Sequence, residues 1–279
     1  MKLSQAISRV SLVLSLCVCV PVLSSGCASK ITPEPAVASS EVLKSFDSRA
    51  LVQPETMRIS SRVDYVDEVN NKRVVGQDLV ISSRAPQSMR ITISAFDKAV
   101  ATMVTDGVAF ALMDVGQNAY VTGMATPENI SRILPVFLSA ADLYRVIHGM
   151  YPIDDLADDA YETQTFAWDG RENGYCRSLN MKNGNVQHVY YRYPGGDIFK
   201  IVVKKQDKDV YTYEASDFKD YSAAGNAYRF PTKILFSLPE LKTDVRLRID
   251  KVDFNIDLSD AVFMLIPPEG AKIFILEDE

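Results

Sequence analysis

The chain has 279 residues, a formal net charge of −6 at pH 7 and 47% hydrophobic residues. This is apolar material enough for a substantial core, and the length sits near the upper size of one β-rich domain. The acidic balance argues against nucleic acid as a partner and against electrostatic attraction to anionic lipid.

In chain order, Lys2 and Arg9 come first, with an apolar run from Val10 to Leu23 and the small residues Ser24-Ser25-Gly26 ahead of Cys27. The run is shorter than the roughly 20 residues of a membrane-spanning helix, so residues 1–26 read as a cleavable export signal. The segment resembles a bacterial lipobox, although Ser24 stands where that pattern prefers an aliphatic residue. The resemblance implies lipidation of Cys27 and attachment to a membrane through an N-terminal acyl anchor. Ordinary signal-peptidase cleavage at the same bond is the alternative, because Ser24 and Gly26 are both small. Cys17 and Cys19 leave with the signal, so an acylated Cys27 leaves Cys176 alone and no disulfide framework. Without acylation, a Cys27–Cys176 bridge is open in an oxidising compartment. Ala28 follows the cysteine, and resemblance to Gram-negative lipoproteins implies sorting to the outer membrane, facing the periplasm.

Residues 27–40 are small, polar and Pro-containing, the composition of a flexible tether. Val42, Leu43, Phe46 and Ala50 then recur at helical spacing, predicting an amphipathic helix over Glu41–Ala50 with Ser40 as its cap. From Thr56 the period becomes two, with Ile59, Val63 and Tyr65, then Leu79 and Ile81, then Ile91 and Ile93, and turns at Asn70-Asn71 and Asp106-Gly107. The pattern runs on through Phe110 and Leu112 to Tyr120 and Val121. Ile130, Ile133, Leu134 and Phe137 predict a helix over Pro127–Leu138, and Leu143, Val146 and Ile147 a second over Asp142–Gly149. Strands resume at Glu162–Trp168, Ile198–Lys204, Val210–Tyr213, Phe230–Leu238, Val245–Ile256 and Lys272–Leu276, with further turns at Asp169-Gly170, Asn173-Gly174, Asn183-Gly184 and Gly195-Gly196. About eleven strands with the helices gathered in one insertion predict a mainly β (α+β) antiparallel meander, a single domain over residues 41–279.

Three stretches carry a family resemblance. Arg84-Ala85-Pro86 to Met89-Arg90-Ile91 is similar to the entry into the third strand of the periplasmic lipoprotein-carrier superfamily of LolA/LolB type. Ile133-Leu134-Pro135 through Leu143 to His148-Gly149 resembles its lid segment, and Phe263 to Gly270, F-M-L-I-P-P-E-G, its closing strand turn. The resemblance implies an unclosed antiparallel β half-barrel with an N-terminal helix and two lid-like helices mid-chain, around a cavity that shields acyl chains. On that reading Ile133, Leu134, Phe137, Leu143, Val146 and Ile147 are the lid and cavity residues. A filled core beneath the helices is the alternative. In LolB-like proteins a protruding loop with an apolar tip touches the membrane, which makes Phe96 a membrane-contact residue; the other reading places Phe96 on the inward face of a strand.

The remaining signals are plain. His148 and His188 belong to no cluster with ligand spacing and read as surface or helix-end groups, so no metal site is expected. Asp154, Asp155, Asp158 and Asp159 lack the alternating spacing of a calcium loop and read as a solvated loop. Tyr190, Tyr191 and Tyr193 read as strand packing, with a ligand-lining role as the alternative. No G-x-S-x-G, phosphate loop or H-E-x-x-H is present, so neither catalytic residues nor a cofactor are expected. Two functions follow: a lipoprotein that handles acyl chains of lipoproteins or lipids, or a structural adaptor that binds a protein partner in an envelope assembly.

Overall fold

Alternating apolar and polar side chains from Thr56 onward build strands joined by tight turns. The structure, a computed structural model, describes residues 32–50, 53–134, 136, 138–150 and 161–277. The readings at Cys27, at Phe137 and over Asp154–Asp159 lie outside those residues.

Strands β1 (Thr56–Asp67), β2 (Lys72–Arg84), β3 (Ser88–Ala95), β4 (Lys98–Thr105), β5 (Ala109–Asp114) and β6 (Ala119–Met124) form one antiparallel meander. A second holds β7 (Tyr161–Asp169), β8 (Gly174–Met181), β9 (Asn185–Arg192), β10 (Asp197–Lys205) and β11 (Lys208–Ser216). A separate hairpin of β12 (Lys219–Ala223) and β13 (Asn226–Phe230) follows, then β14 (Lys233–Leu238) and β15 (Thr243–Phe254). Pairing of β15 with β1 and of β14 with β11 joins the meanders into a sheet of 14 strands, ending at β7 on one side and β16 (Lys272–Leu276) on the other. The sheet is therefore unclosed, as the family resemblance implies. Register shifts at Ser60/Ser61, Val63/Tyr65 and Ile93/Ser94 insert the extra residues that raise local twist and help a long sheet to curl.

Three details differ from expectation. The strands outnumber the expected eleven. Phe230–Leu238 is divided at Pro231-Thr232, since proline cannot donate to a strand ladder. The predicted helix Pro127–Leu138 is only α2 (Pro127–Ser131), because Leu134 precedes Pro135 and is biased away from helical geometry. The second lid helix, α3 (Ala140–Ile147), begins two residues before Asp142, since Ser139 is its cap: Ser139 Oγ accepts from the Asp142 amide at 3.0 Å. It ends at His148, and Gly149 follows with φ +71°, the left-handed residue that stops many helices.

Helix α1 (Ser39–Ala50) packs on the β7–β9 end, beside a small pocket of about 100 Å³ bordered by Phe46, Tyr191 and Gly196. Its buried Phe46 stacks on Tyr191 at 4.9 Å and meets Tyr175 and Phe166 edge-on, while Phe166 and Tyr175 stack on each other at 5.1 Å. Gly196, with φ +74°, makes room, since a Cβ there would lie 2.8 Å from the Phe46 ring. The buried Arg177 reaches Asp47 of the helix at 3.4 Å. Within the stretch expected as tether, the Trp168 indole donates to the Thr32 carbonyl and the Thr32 amide to Gly170, both at 2.9 Å.

Candidate functional site

The opposite part of the concave face is not filled. Period-two alternation turns Val63 and Tyr65 of β1, Leu79 and Ile81 of β2, and Ile91 and Ile93 of β3 to the same side, where cross-strand pairs such as Leu79–Ile93 and Ile81–Ile91 form rows. Ile234 and Phe236 of β14 and Val245 and Leu247 of β15 extend the rows across the seam, with Phe236 opposite Val245 and Ile234 opposite Leu247. Above this floor lie Ile133 and Leu134, just after α2, with Val136, and Leu143, Val146 and Ile147 of α3. Between floor and cover is a cavity of about 450 Å³, within the size range of small-ligand pockets. Of the six sequence-predicted lid residues, Ile133, Leu134, Leu143, Val146 and Ile147 line it, and Phe137 is not described. Neither histidine nor a carboxylate is among the described lining residues. Such a wall offers dispersion contacts and exclusion of water to an apolar guest.

The cavity extends to one rim of the sheet, where Tyr65, Lys72, Val74 and Gln77 border it beside the β1–β2 turn. Antiparallel order puts the β3–β4 and β5–β6 turns on that same rim, and the pairing of Asp67 with Thr243 adds the β14–β15 turn. Each of these four turns carries an exposed apolar side chain: Val69, Phe96, Val115 and Leu241. Phe96 is the extreme case at 97% exposure, on a two-residue turn in which Phe96 and Asp97 have φ of +51° and +60°. The inward-facing reading of Phe96 is thus corrected. The chain makes a tight hairpin without glycine, holding an aromatic residue in a left-handed conformation that usually costs about 1–2 kcal/mol.

His148 is not a surface group. It is buried at the end of α3, stacked on Tyr144 at 4.1 Å, and shares a 2.8 Å hydrogen bond between Nε2 and Ser83 Oγ. Its Nδ1 has no hydrogen-bond partner among the described residues, and burial pushes its pKa down to about 3. His188 lies mid-strand on β9, half-buried, and shares a 2.8 Å hydrogen bond with Ser178. Ser83–His148 joins residues far apart in sequence and Ser178–His188 faces across the β8–β9 hairpin, and sequence reasoning found neither. Ser83–His148 does not form an activated nucleophile: Ser83 is completely enclosed, and an imidazole pushed down to about 3 is a weak general base. Burial also pushes the Cys176 thiol up, away from the reactive thiolate. Tyr191 and Tyr193 pack in the aromatic cluster, Tyr190 lies by Phe199 on the other face, and none of the three lines the large cavity.

No protein-family model matches the sequence, and no curated protein matches it. Solved structures do share the fold. A LolA superfamily protein from Nitrosomonas europaea superposes with a TM-score of 0.52 at 11% identity, covering 82% of this chain and 99% of that one. A domain named for outer membrane lipoprotein sorting, from Vibrio parahaemolyticus, gives 0.57 at 9% identity over 81% of this chain and 97% of its own. A DUF1329 family protein from Desulfovibrio piger gives 0.54 at 13% identity, covering 83% and 98%. The fold is therefore one that a LolA superfamily protein shares, and identities this low speak for the fold alone.

Proposed function

We propose that this chain is a membrane-anchored lipoprotein whose cavity binds acyl chains during lipoprotein or lipid trafficking to the outer membrane. Residues 1–26 act as the export signal, Cys27 carries the anchor, residues 27–40 form the tether and residues 41–279 the binding domain, on the periplasmic side. The observation that carries the reading is the mainly apolar cavity of about 450 Å³ beneath α2 and α3. Two further features support it. The cavity borders the rim that carries Phe96, so an exposed aromatic stands where an acyl chain would pass between cavity and bilayer. The fold is also shared with a domain named for outer membrane lipoprotein sorting.

Filling the cavity tests the reading. Val74→Phe with Ile93→Phe adds bulk to its wall without adding charge. Binding of a fluorescent fatty-acyl probe should fall at least tenfold while the thermal midpoint stays within a few degrees of the parent. Full probe binding by a stably folded filled variant would show that acyl chains do not use this cavity.

A further inference from the structure

The two edges of the sheet are built differently. At one edge, β7 presents Glu162, Thr163, Gln164 and Thr165, all exposed and polar, the usual protection of an unpaired strand. At the other, β16 reads Lys-Ile-Phe-Ile-Leu, and among the described residues it has a hydrogen-bonded strand neighbour on one side only, β6. Ile273 is 61% exposed, Phe274 49% and Ile275 72%. The parallel register sets Ile273 and Ile275 on the face of Tyr120 and Thr122, and Phe274 on the face of Val121, so both faces of the free edge are apolar. No proline or bulge interrupts β16, and its lysine is at the very start. Close docking on β6 also depends on Gly123, since a Cβ there would lie 2.8 Å from the Leu276 carbonyl oxygen. The strand is fixed in place and yet left half-paired.

We propose that β16 pairs with β16 of a second copy of this chain, antiparallel about a two-fold axis at Phe274. The charge pattern selects this partner and direction. The strand is basic at its start, Lys272, apolar through its middle, and acidic just after its end, Glu277-Asp278-Glu279. An antiparallel copy sets Ile273 opposite Ile275 twice and Phe274 opposite itself, and brings each Lys272 alongside the other copy's acidic end. A parallel copy would align lysine with lysine and acid with acid, which is repulsive. A two-fold axis normal to the sheet closes the assembly at two copies, leaves no further apolar edge, and extends each sheet into the next. The proposal is independent of what the cavity binds.

Two measurements on the full-length chain test it. Phe274→Cys in isolated membranes should give a disulfide-linked dimer under mild oxidation, because paired Cα atoms at an antiparallel two-fold lie about 4.5–5.5 Å apart. Glu269→Cys, outside the strand, should not. In detergent, the parent should sediment with twice the monomer's protein mass, and Ile273→Lys with Ile275→Lys, which sets lysines opposite one another, should sediment as monomer with an unchanged thermal midpoint. A monomeric parent at tens of micromolar, a dimer that survives the double lysine variant, or a different polypeptide held at Phe274→Cys would each overturn the proposal.

Discussion

Replacing His148 with glutamine should flatten the acid limb of the stability curve. In the folded chain the imidazole is buried between Tyr144 and Ser83, with a pKa pushed down from 6.5 to about 3 by loss of solvent. Unfolding returns it to water, where it titrates near 6.5. The unfolded chain thus binds a proton that the folded chain refuses, and stability falls as pH drops below about 6.5 and goes on falling toward 3. Between pH 7 and pH 5 this one group should remove about 2 kcal/mol, from 1.36 kcal/mol for each of the roughly 1.5 pH units below its unfolded pKa. Urea unfolding of parent and His148→Gln at the two pH values isolates the effect, since ordinary carboxylates contribute alike to both. The variant starts less stable, because Ser83 loses its partner, but its loss between pH 7 and 5 should be about 2 kcal/mol smaller. Equal losses in the two proteins would mean that His148 is hydrated or already charged in the folded state, and the burial argument would fail.

Phe96→Glu should change stability by less than about 0.5 kcal/mol, because the side chain touches solvent on all sides, while lowering capture by phospholipid vesicles. Phe96→Gly should be neutral or stabilise by up to about 1 kcal/mol, since glycine takes the left-handed turn without strain, and should lose vesicle capture to the same extent; a destabilised Phe96→Glu would return Phe96 to the core. Phe46→Ala empties the stack beneath α1 and should cost about 3–5 kcal/mol in chemical unfolding, whereas acyl-probe binding should persist at low temperature, because Phe46 itself does not line the cavity. Parallel loss of both would mean that Tyr213, which borders both the cavity and the smaller pocket beside Phe46, couples the two.

Much of this fold was legible because period-two alternation and turn chemistry are local. Asn70-Asn71, Asp106-Gly107, Asn183-Gly184 and Gly195-Gly196 all fall between strands that pair as neighbours. The hairpin β12–β13 was not legible: Lys219–Ala223 is short and mostly polar, and its apolar anchor Tyr221 takes its meaning from Phe254, far along the chain. The lid residues could be selected because Leu143, Val146 and Ile147 recur at helical spacing, but that spacing does not reveal whether the space beneath is full. Ser83–His148 and Arg177–Asp47 escaped for the same reason, as each joins a strand to a helix across a long separation in sequence.

The two helix-covered regions of the interior are built from different side chains. Helix α1 is 12 residues long and inserts one large ring, Phe46, into a nest of rings from β7, β8 and β9, which close on one another by edge and face contacts. The lid offers five-residue α2 and eight-residue α3, whose cavity-facing side chains are mainly aliphatic, with Ser131 and Arg132 beside them, and the sheet opposite answers with valine, leucine and isoleucine together with Tyr65, Tyr213 and Phe236. Between these surfaces a cavity of about 450 Å³ remains. Proline at 135 shortens the first helix and keeps the cover from becoming one continuous element that could settle onto the floor. An apolar void forfeits dispersion contacts in proportion to its size, a cost that a purely structural core would have removed by larger side chains. On the proposed function, an acyl chain in the cavity would restore the contacts that the void forfeits.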